Sequence, residues 1–405
     1  MTRARRILAL NAGSSSLKFL LADFGAAPAD LRRGAVTAIG ADARLVVRGL
    51  TGAAAPRPVP ANDHAQALDV IIDALNDERA SLLNQIAAVG HRIVHGGTEF
   101  TEPARLDAAA LARLRALSRL APLHLPAALQ VIDRSATRMP GTPSIGIFDT
   151  AFFHALPAAA RNYAVPADWS KELGLRRYGF HGIAHRDMWE CAVRMLGAGR
   201  AHRVISFQLG NGCSAAAVLD GTPRDTSMGF TPLEGLVMGT RSGDIDPGIL
   251  LELLDRGWTG EALRDALNHR SGLLGVSGLS ANMAELLDTA GKGHAGASLA
   301  IDVFVHRARK YLGAYLAILG GADAIVFGGG IGEHAPDIRR RICAGMEWCG
   351  LRIDEASNED GSGGDARIST PSSDIAVLVC AIDEERRIAN EAHALLTSPP
   401  RQTPG

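Results

Sequence analysis

The sequence predicts an α/β protein of two related lobes, and three observations predict it. The chain has 405 residues, more than one hydrophobic core usually supports, so two domains are the natural expectation. Near its start, Arg6-Ile-Leu-Ala-Leu-Asn-Ala-Gly-Ser-Ser-Ser-Leu-Lys-Phe-Leu-Leu-Ala-Asp-Phe24 reads as an apolar strand, a tight polar turn and a second apolar strand. Half a chain later, Arg203-Val-Ile-Ser-Phe-Gln-Leu-Gly-Asn-Gly-Cys-Ser-Ala-Ala-Ala-Val-Leu219 repeats the pattern, followed by an Asp220-Gly221 hairpin turn. Closely spaced N–H groups in such turns form concavities for small anions, phosphate above all. The first turn adds three hydroxyls and the ammonium of Lys18. Ser-rich turn chemistry would account for one such hairpin on a surface. Its recurrence in a long chain favours two lobes with phosphate-facing hairpins and a nucleotide cleft that closes by hinge motion.

Composition removes several function classes. Net charge is −1, from 42 basic and 43 acidic residues, so no global basic field exists to hold nucleic acid or an anionic membrane. The basic start Met1–Arg6 precedes an apolar run of only about four residues, too short for a signal peptide. No run approaches the roughly 20 apolar residues of a membrane span. The five cysteines, Cys191, Cys213, Cys343, Cys349 and Cys380, lack Cys-x-x-Cys spacing. They are expected as reduced core thiols of a cytoplasmic enzyme, with no metal cluster.

Along the chain, the three prolines of residues 51–62 predict a loop. Asp63 then caps a helix whose Leu68, Ile71, Ile72 and Leu75 follow helical spacing. Residues 86–94 form a strand ending in His95-Gly-Gly-Thr98. Residues 107–120 are an amphipathic helix closed by Ala-Pro-Leu-His-Leu-Pro126. The short strand Ser144-Ile-Gly-Ile-Phe148 delivers Asp149 at its carboxyl end, where α/β sheets bind ligands. In the second half, a long helix over 298–319 ends at Gly320-Gly321. A strand at 324–327 leads into the loop Gly328-Gly-Gly-Ile-Gly-Glu-His334 and a helix over 336–349. Strand, glycine-rich loop and helix let backbone approach a nucleotide. Residues 355–375 read as an acidic surface loop, and the strand 376–380 leads to Asp383-Glu384-Glu385 and a last helix. The tail 398–405 is expected to be disordered.

Five features carry chemistry. Arg92 lies within His91-Arg-Ile-Val-His-Gly-Gly97, and a charge at an apolar strand end needs a partner. His181 ends Arg176-Arg-Tyr-Gly-Phe-His181. Arg241 centres a glycine-studded segment, Asp225 to Gly248, of a kind few packed cores need. Asp149 and the 383–385 triplet offer hard oxygen ligands suited to Mg²⁺.

Together these residues resemble the acetate kinase family over nearly the whole chain. Asn-x-Gly-Ser-Ser-Ser-x-Lys at 11–18, His-Arg-x-Val-His-Gly-Gly at 91–97, Phe-Asp-Thr-Ala-Phe at 148–152 and Arg-Arg-Tyr-Gly-Phe-His-Gly at 176–182 look like that family. So do Leu-Gly-Asn-Gly at 209–212, Asp-Thr-Ser-Met-Gly-Phe-Thr-Pro-Leu-Glu-Gly from 225, and Gly-Ile-Gly-Glu at 330–333. The resemblance implies two ribonuclease-H-like lobes of the actin-like ATPase fold with nucleotide between them, and a homodimer. The lobes are expected over residues 1–150 plus 386–405 and over 151–385. It also implies reversible phosphoryl transfer from ATP to acetate, giving ADP and acetyl phosphate, with Mg²⁺ or Mn²⁺.

By the same resemblance, Asn11 and Glu384 are the metal-associated pair, and Ser16 and Lys18 contact phosphate. Arg92 and Arg241 hold acetate and neutralise the transferring phosphoryl, His181 is the transition-state donor, and Asp149 is the catalytic carboxylate. Val94, Leu123, Phe180 and Pro232 form the wall for acetate's methyl group. The turn Gln208, Leu209, Gly210, Asn211, Gly212 faces the phosphates. Asn282, Met283 and Ala284, with Gly330, Ile331, Gly332, Glu333 and His334, attend the nucleoside. Such an inventory suits phosphoryl transfer, where positioning and charge neutralisation outweigh covalent work.

The chain departs from the family pattern at several positions. Leu125 and Asp383 stand where Asn is usual, and Phe153 and Gln208 where His is usual. Ser280-Ala-Asn-Met-Ala284 lacks the Asp and the nucleotide-stacking Arg, which bears on nucleotide preference. A propionate or other short-chain acyl kinase would share every chemical residue. A catalytically silent nucleotide switch of the same fold is the alternative of another class. Retention of Arg92, Asp149, His181 and Arg241 argues against it, since a binding module has no need of two arginines on a phosphoryl site.

Overall fold

The computed structural model describes residues 6–25, 29–49, 52–53, 55–76, 85–121, 125–361 and 363–398. The chain divides into two compact units, Met1–Phe152 with Asp383–Gly405, and Phe153–Ile382.

In the first unit, the apolar run Arg6–Ala12 is buried on both faces, as the middle of a sheet requires. It pairs antiparallel with Ser16–Asp23, Asn11 standing opposite Lys18. Ala29–Thr37 and Arg44–Gly49 extend the sheet antiparallel on that side. Ile86–Ile93 and then Ser144–Phe148 extend it in parallel on the other. The helices His64–Asn76 and Leu125–Arg138 pack together. Asp63 caps the former by accepting the Gln66 N–H at 2.8 Å, and Leu68, Ile71, Ile72 and Leu75 are buried.

The last helix, Glu384–Thr397, packs on Arg6–Ala12 and Ile86–Ile93. Gly90 makes room there: a Cβ on it would lie 2.9 Å from Ile388 Cγ2. Residues 383–385 go with this helix and not with the second lobe expected for them. Asp383 is its cap, accepting the Arg386 N–H at 2.9 Å.

The second unit repeats the plan. Thr222–Thr226, Cys213–Leu219 and Arg203–Leu209 are antiparallel neighbours, and Ala324–Gly328 and Ala376–Val379 follow in parallel. With Arg44–Gly49 and the two-residue edge strands left out of the count, both sheets have the order third, second, first, fourth, fifth. The two-lobe α/β reading therefore holds at the level of topology. The Asp220-Gly221 turn is as expected, with φ of 50° and 74°.

Several local expectations are corrected. The expected Gly328–His334 loop is helical over Gly329–His334. Three consecutive glycines disfavour helix, but both ends are satisfied by side chains. Glu333 Oε1 accepts the Gly329 N–H at 3.0 Å, and Arg339 Nη1 donates to the carbonyls of Gly332 and Glu333 at 2.8 and 3.0 Å. The helix expected to 349 stops at Cys343, and that expected to 120 stops at Ala116, where a 3-10 turn, Leu117–Arg119, follows. The acidic stretch 355–375 is not all surface loop. It contains the helix Glu355–Asp360, the edge strand Ala366–Arg367 and the fully buried Asn358 and Ile368. Asn358 is inside because it answers buried Arg339, at 2.8 Å to its Nε. Within the proline-rich stretch, Gly52–Ala53 and Arg57–Pro58 pair with Arg44–Gly49. The tail 399–405 lies outside the described residues. Among those described, no helix is long and apolar enough to cross a membrane.

The segment carrying Phe180 and His181 turns on Gly179, at φ 74°. A Cβ there would lie 2.5 Å from the Phe153 ring and 2.8 Å from Thr226 Cγ2. Gly179→Ala should therefore destabilise the second unit by roughly 2–4 kcal/mol, as strained φ and overpacking combine. A thermal melt of the variant within about 1 °C of the parent would show that the turn relaxes at little cost.

Candidate active site

The register of the first sheet sets one group of side chains. Leu10 pairs with His91, and Ile93 with Phe148, so Asn11, Arg92 and Asp149 emerge at the carboxyl ends of three parallel strands. Asp149 is fully buried. Arg92 grips it from two nitrogens, with Nε at 3.1 and 3.2 Å from the two carboxylate oxygens and Nη2 at 2.6 Å from Oδ2. Arg92 Nη1 donates to Asn11 Oδ1 at 3.0 Å and lies 3.7 Å from Glu384. Burial works against the guanidinium's charge, but Asp149 and Glu384 outweigh it and hold its pKa above the ordinary value.

Asn11 Nδ2 in turn donates to both glutamates of the last helix, Glu384 at 2.8 Å and Glu385 at 2.7 Å. Burial pushes the Glu385 carboxyl up, with neighbouring Glu384 adding to the rise and Lys18 opposing it. Glu385 thus joins the expected pair Asn11 and Glu384. Lys18 is exposed opposite Asn11. In the first turn, Gly13 donates its N–H to the Ser16 carbonyl at 2.8 Å and accepts His64 Nε2 at 2.8 Å. That amide is already spent, so Ser16 and Lys18 offer the turn's side chains and not a full nest of N–H groups. Val94 is buried beyond the strand end, while Leu123 lies outside the described residues.

The second unit gathers a different set. His181 precedes the helix Gly182–Leu196 at φ 58°, a left-handed conformation that a non-glycine residue holds only under local constraint. Its Nδ1 lies 2.8 Å from Ser214 Oγ. The Gln208–Gly212 turn is braced by Gly210 N–H to Gly212 O at 3.2 Å and by Gly239 N–H to Asn211 O at 3.0 Å. A Cβ on Gly212 would lie 3.4 Å from His181 Nε2 and 3.7 Å from Arg241 Nη1, so these two groups flank the turn.

Arg241 Nη1 donates to the Pro232 carbonyl at 2.9 Å. Among the described residues it has no carboxylate at ion-pair distance, and burial pushes its pKa down. The loop holding it is pinned by Arg177, which donates to the carbonyls of Thr226, Ser227 and Met228 and pairs with Glu234 at 2.6 Å. Phe180 is buried and Pro232 half-buried. Leu209 is buried, and Gln208 Oε1 has no hydrogen-bond partner among the described residues.

The remaining expected residues are less uniform. Asn282 caps the helix Met283–Gly291, accepting the Ala284 and Glu285 N–H groups at 2.9 and 3.3 Å. Met283 is buried and Ala284 exposed. His334 lines a recess of about 560 Å³ with Leu287, Gly291, Ile301 and Pro336. Cys191 and Cys380 bring their sulfurs within 4.8 Å of each other and of an Asp365 oxygen. Arg194, at 2.6 Å, and the Ala381 N–H, at 3.1 Å, already occupy that carboxylate. Sequence reasoning missed His185, Ser214, Glu234 and Arg339. For His185 the signal is its position four residues after His181, one turn along the same helix face.

Residues 6–390 match the model of the acetokinase family. The chain belongs to that family. Full-length likeness accompanies the match. An acetate kinase of Clavibacter michiganensis subsp. michiganensis is 44% identical over 96% of this chain and 98% of its own. That of Methanosarcina thermophila is 41% identical over 96% and 97%. Among solved structures, Porphyromonas gingivalis acetate kinase has a TM-score of 0.90 at 38% identity, covering 97% of this chain and all of its own. A propionate kinase from Francisella tularensis has a TM-score of 0.89 at 37% identity, with 96% and 98% covered.

Of the family's expected residues, the buried pair Arg92–Asp149 allows a test by stability alone. Asp149→Asn leaves Arg92 with Glu384 as its nearest carboxylate, 3.7 Å away. It should lower stability by roughly 3 kcal/mol, as breaking a buried pair does. Urea unfolding reads the change, and an unshifted midpoint would mean that solvent reaches the guanidinium.

Proposed function

We propose that this chain transfers the γ-phosphoryl group of ATP to acetate, reversibly, giving ADP and acetyl phosphate with Mg²⁺. Membership of the acetokinase family and full-length likeness to acetate kinases support it. The observation that carries it is Arg241, a half-buried guanidinium that has no carboxylate at ion-pair distance among the described residues and stands beside His181 at a glycine turn. Such a pair of donors suits the charge on the equatorial oxygens of a transferring phosphoryl group. His181 is the neutral or cationic donor of that pair.

Arg92 holds the acetate carboxylate. Its bonds to Asp149 and Asn11 leave one N–H on each terminal nitrogen for that purpose. Asp149 orients Arg92 and removes no proton, since a carboxylic acid with pKa near ~4–5 is already ionised at neutral pH. Asn11, Glu384 and Glu385 would hold Mg²⁺. The carboxylate oxygens of Glu384 and Glu385 suit a hard cation, and Asn11 gathers both at one side chain. When bound, the ion neutralises phosphate charge and orients the nucleotide. Ser16 and Lys18 are the phosphate contacts proposed for the first unit, and the Gln208–Gly212 turn is the one proposed for the second.

Adenosine takes the recess beside His334. Recognition there rests on His334 with the recess residues Leu287, Gly291, Ile301 and Pro336, while Asn282 has its side-chain oxygen engaged as a helix cap.

A second reading, propionate as substrate, has the likeness to the Francisella propionate kinase in its favour. One methylene changes discrimination by only ~1–3 kcal/mol, so propionate should be turned over less well and not excluded. Trapping acyl phosphate as its hydroxamate, with purified protein and each acid, tests both readings. No product from either acid would sink the proposal.

Arg241→Ala should lower turnover by roughly 10³–10⁵, the scale for an arginine that stabilises transferring phosphoryl. A folded variant within tenfold of the parent would remove Arg241 from that role. A second copy of the chain is proposed to cover the exposed Ile249, Leu251, Leu254 and Trp258. Light scattering should then give about twice the 42.5 kDa chain mass, and a stable monomer would overturn this part.

A further inference from the structure

Three side chains of the second unit form an unbroken line of hydrogen bonds behind His181. Its Nδ1 lies 2.8 Å from Ser214 Oγ, which lies 2.7 Å from His185 Nε2. His185 Nδ1 lies 2.7 Å from Ser206 Oγ. Ser206, His185 and Ser214 are fully buried. Local structure dictates the line. The His185 N–H donates to the His181 carbonyl at 2.9 Å, which stacks the two imidazoles one helical turn apart. Ser206 and Ser214 belong to adjacent strands, and Gln208 pairs with Ser214, so both hydroxyls meet the same ring.

Burial, with His181 nearby, pushes the pKa of His185 well below its ordinary value. The ring is therefore neutral and carries one N–H. A Ser214 oxygen accepting from both rings would leave its own buried hydrogen without a partner among the described residues, so Ser214 accepts one bond and donates the other, and two ways to distribute protons remain. In one, Ser206 O–H donates to His185 Nδ1, His185 Nε2–H to Ser214 Oγ, and Ser214 O–H to His181 Nδ1. In the other every bond is reversed, and His181 Nδ1–H donates to Ser214. The ends of the line decide between them. Reversal would turn the Ser206 oxygen into an acceptor and leave its own hydrogen buried without a partner, since Ser206 makes only the bond to His185 among the described residues. A buried donor left unsatisfied costs more than an unused lone pair. The first direction is favoured.

We propose that Ser206, His185 and Ser214 form a one-way relay that fixes His181 as its Nε2–H tautomer, a neutral donor facing the Gly212 turn beside Arg241. This rests on the reading of His181 as a phosphoryl contact. Neutrality has its own logic here. A second cation beside Arg241, which has no carboxylate of its own, would be repelled before any anion arrived. Ser206, His185 and Ser214 touch no substrate in this scheme; they are positioning residues.

Histidine ¹⁵N NMR on the full-length protein, with His181→Gln to assign the signal, reads the tautomer directly. The parent should show Nε2 protonated and Nδ1 bare. Ser214→Ala and Ser206→Ala should each give a mixture of tautomers. Their kcat for acetyl phosphate formation should fall about tenfold, part of what a positioned donor supplies, with KM for acetate and ATP within about twofold. Ser206→Thr, which keeps the hydroxyl, should restore both readouts. An Nδ1–H tautomer in the parent, or an unchanged tautomer in both alanine variants, would overturn the relay. An active parent with the wrong tautomer sinks the relay alone. An inactive parent with the right one sinks the kinase reading and leaves the relay standing.

Discussion

A charge taken out of water has to be answered inside the fold, and four arginines of this chain, one buried and three half-buried, are answered in four different ways. Arg92 has a carboxylate held from two nitrogens and an amide oxygen. Arg177 has Glu234 and three backbone carbonyls in a row, which makes it the clamp on the loop that follows Thr226. Arg339 has no carboxylate among its hydrogen-bond partners, yet Asn358 and the end carbonyls of the Gly329–His334 turn serve its donors. Arg241 alone of these is left with one carbonyl and a thioether sulfur. The second and third arrangements build structure, and the first fixes Arg92 in place while leaving one N–H on each terminal nitrogen. The fourth leaves donors and charge in reserve, which is what an anion-binding position requires.

The sheet topology decides where those answers can be placed. In the first unit the site residues come from three parallel strands and the start of the last helix. Parallel strands end on one edge, so their first residues past the pairing meet without any long loop to position them. Asp149 shows the economy of this. Its backbone N–H still bonds to the Ile93 carbonyl at 2.9 Å, so the carboxylate is held by the sheet itself. The second unit relies instead on a helix N-terminus and a pinned loop. Its site residues need extra bracing, supplied by Arg177, by Asp244 bonding the Gly235 N–H at 2.8 Å, and by Tyr311 on Asp244 at 2.9 Å.

Much of this was legible in the sequence because it lies in local pattern. Unbroken apolar runs marked the buried strands, and Asp220-Gly221 marked a turn that needs two positive φ angles. Arg92 in an apolar strand end announced a partner, and Asp149 at the end of another strand was available to be it. What stayed hidden depends on contacts between residues far apart in the chain. The glycine-rich segment 328–334 has loop composition, and only Arg339 and Glu333 make it helical. Asn358 sits in an acidic, small-residue stretch that composition assigns to the surface, but a buried guanidinium draws it inside. Glu385 entered the site because the helix start presents two glutamates to one asparagine, a matter of side-chain direction that spacing leaves open. Asn282 could equally have been a ligand contact or a cap, and its bonds to the Ala284 and Glu285 amides make it a cap.

The two hairpins that suggest equivalent lobes do not do equivalent work. In the first, the Gly13 amide is consumed within the turn and its carbonyl is held by His64, so the hairpin contributes side chains, above all the exposed ammonium of Lys18. In the second, no lysine is present between Arg203 and Leu219, and the turn contributes space. A methyl group on Gly212 would press to 3.3 Å against the His181 ring and approach Arg241. The missing side chain is therefore what lets an imidazole and a guanidinium stand over one stretch of backbone. The same hairpin plan thus offers different things in the two units, an exposed ammonium in the first and, in the second, room for the charged groups of neighbouring segments.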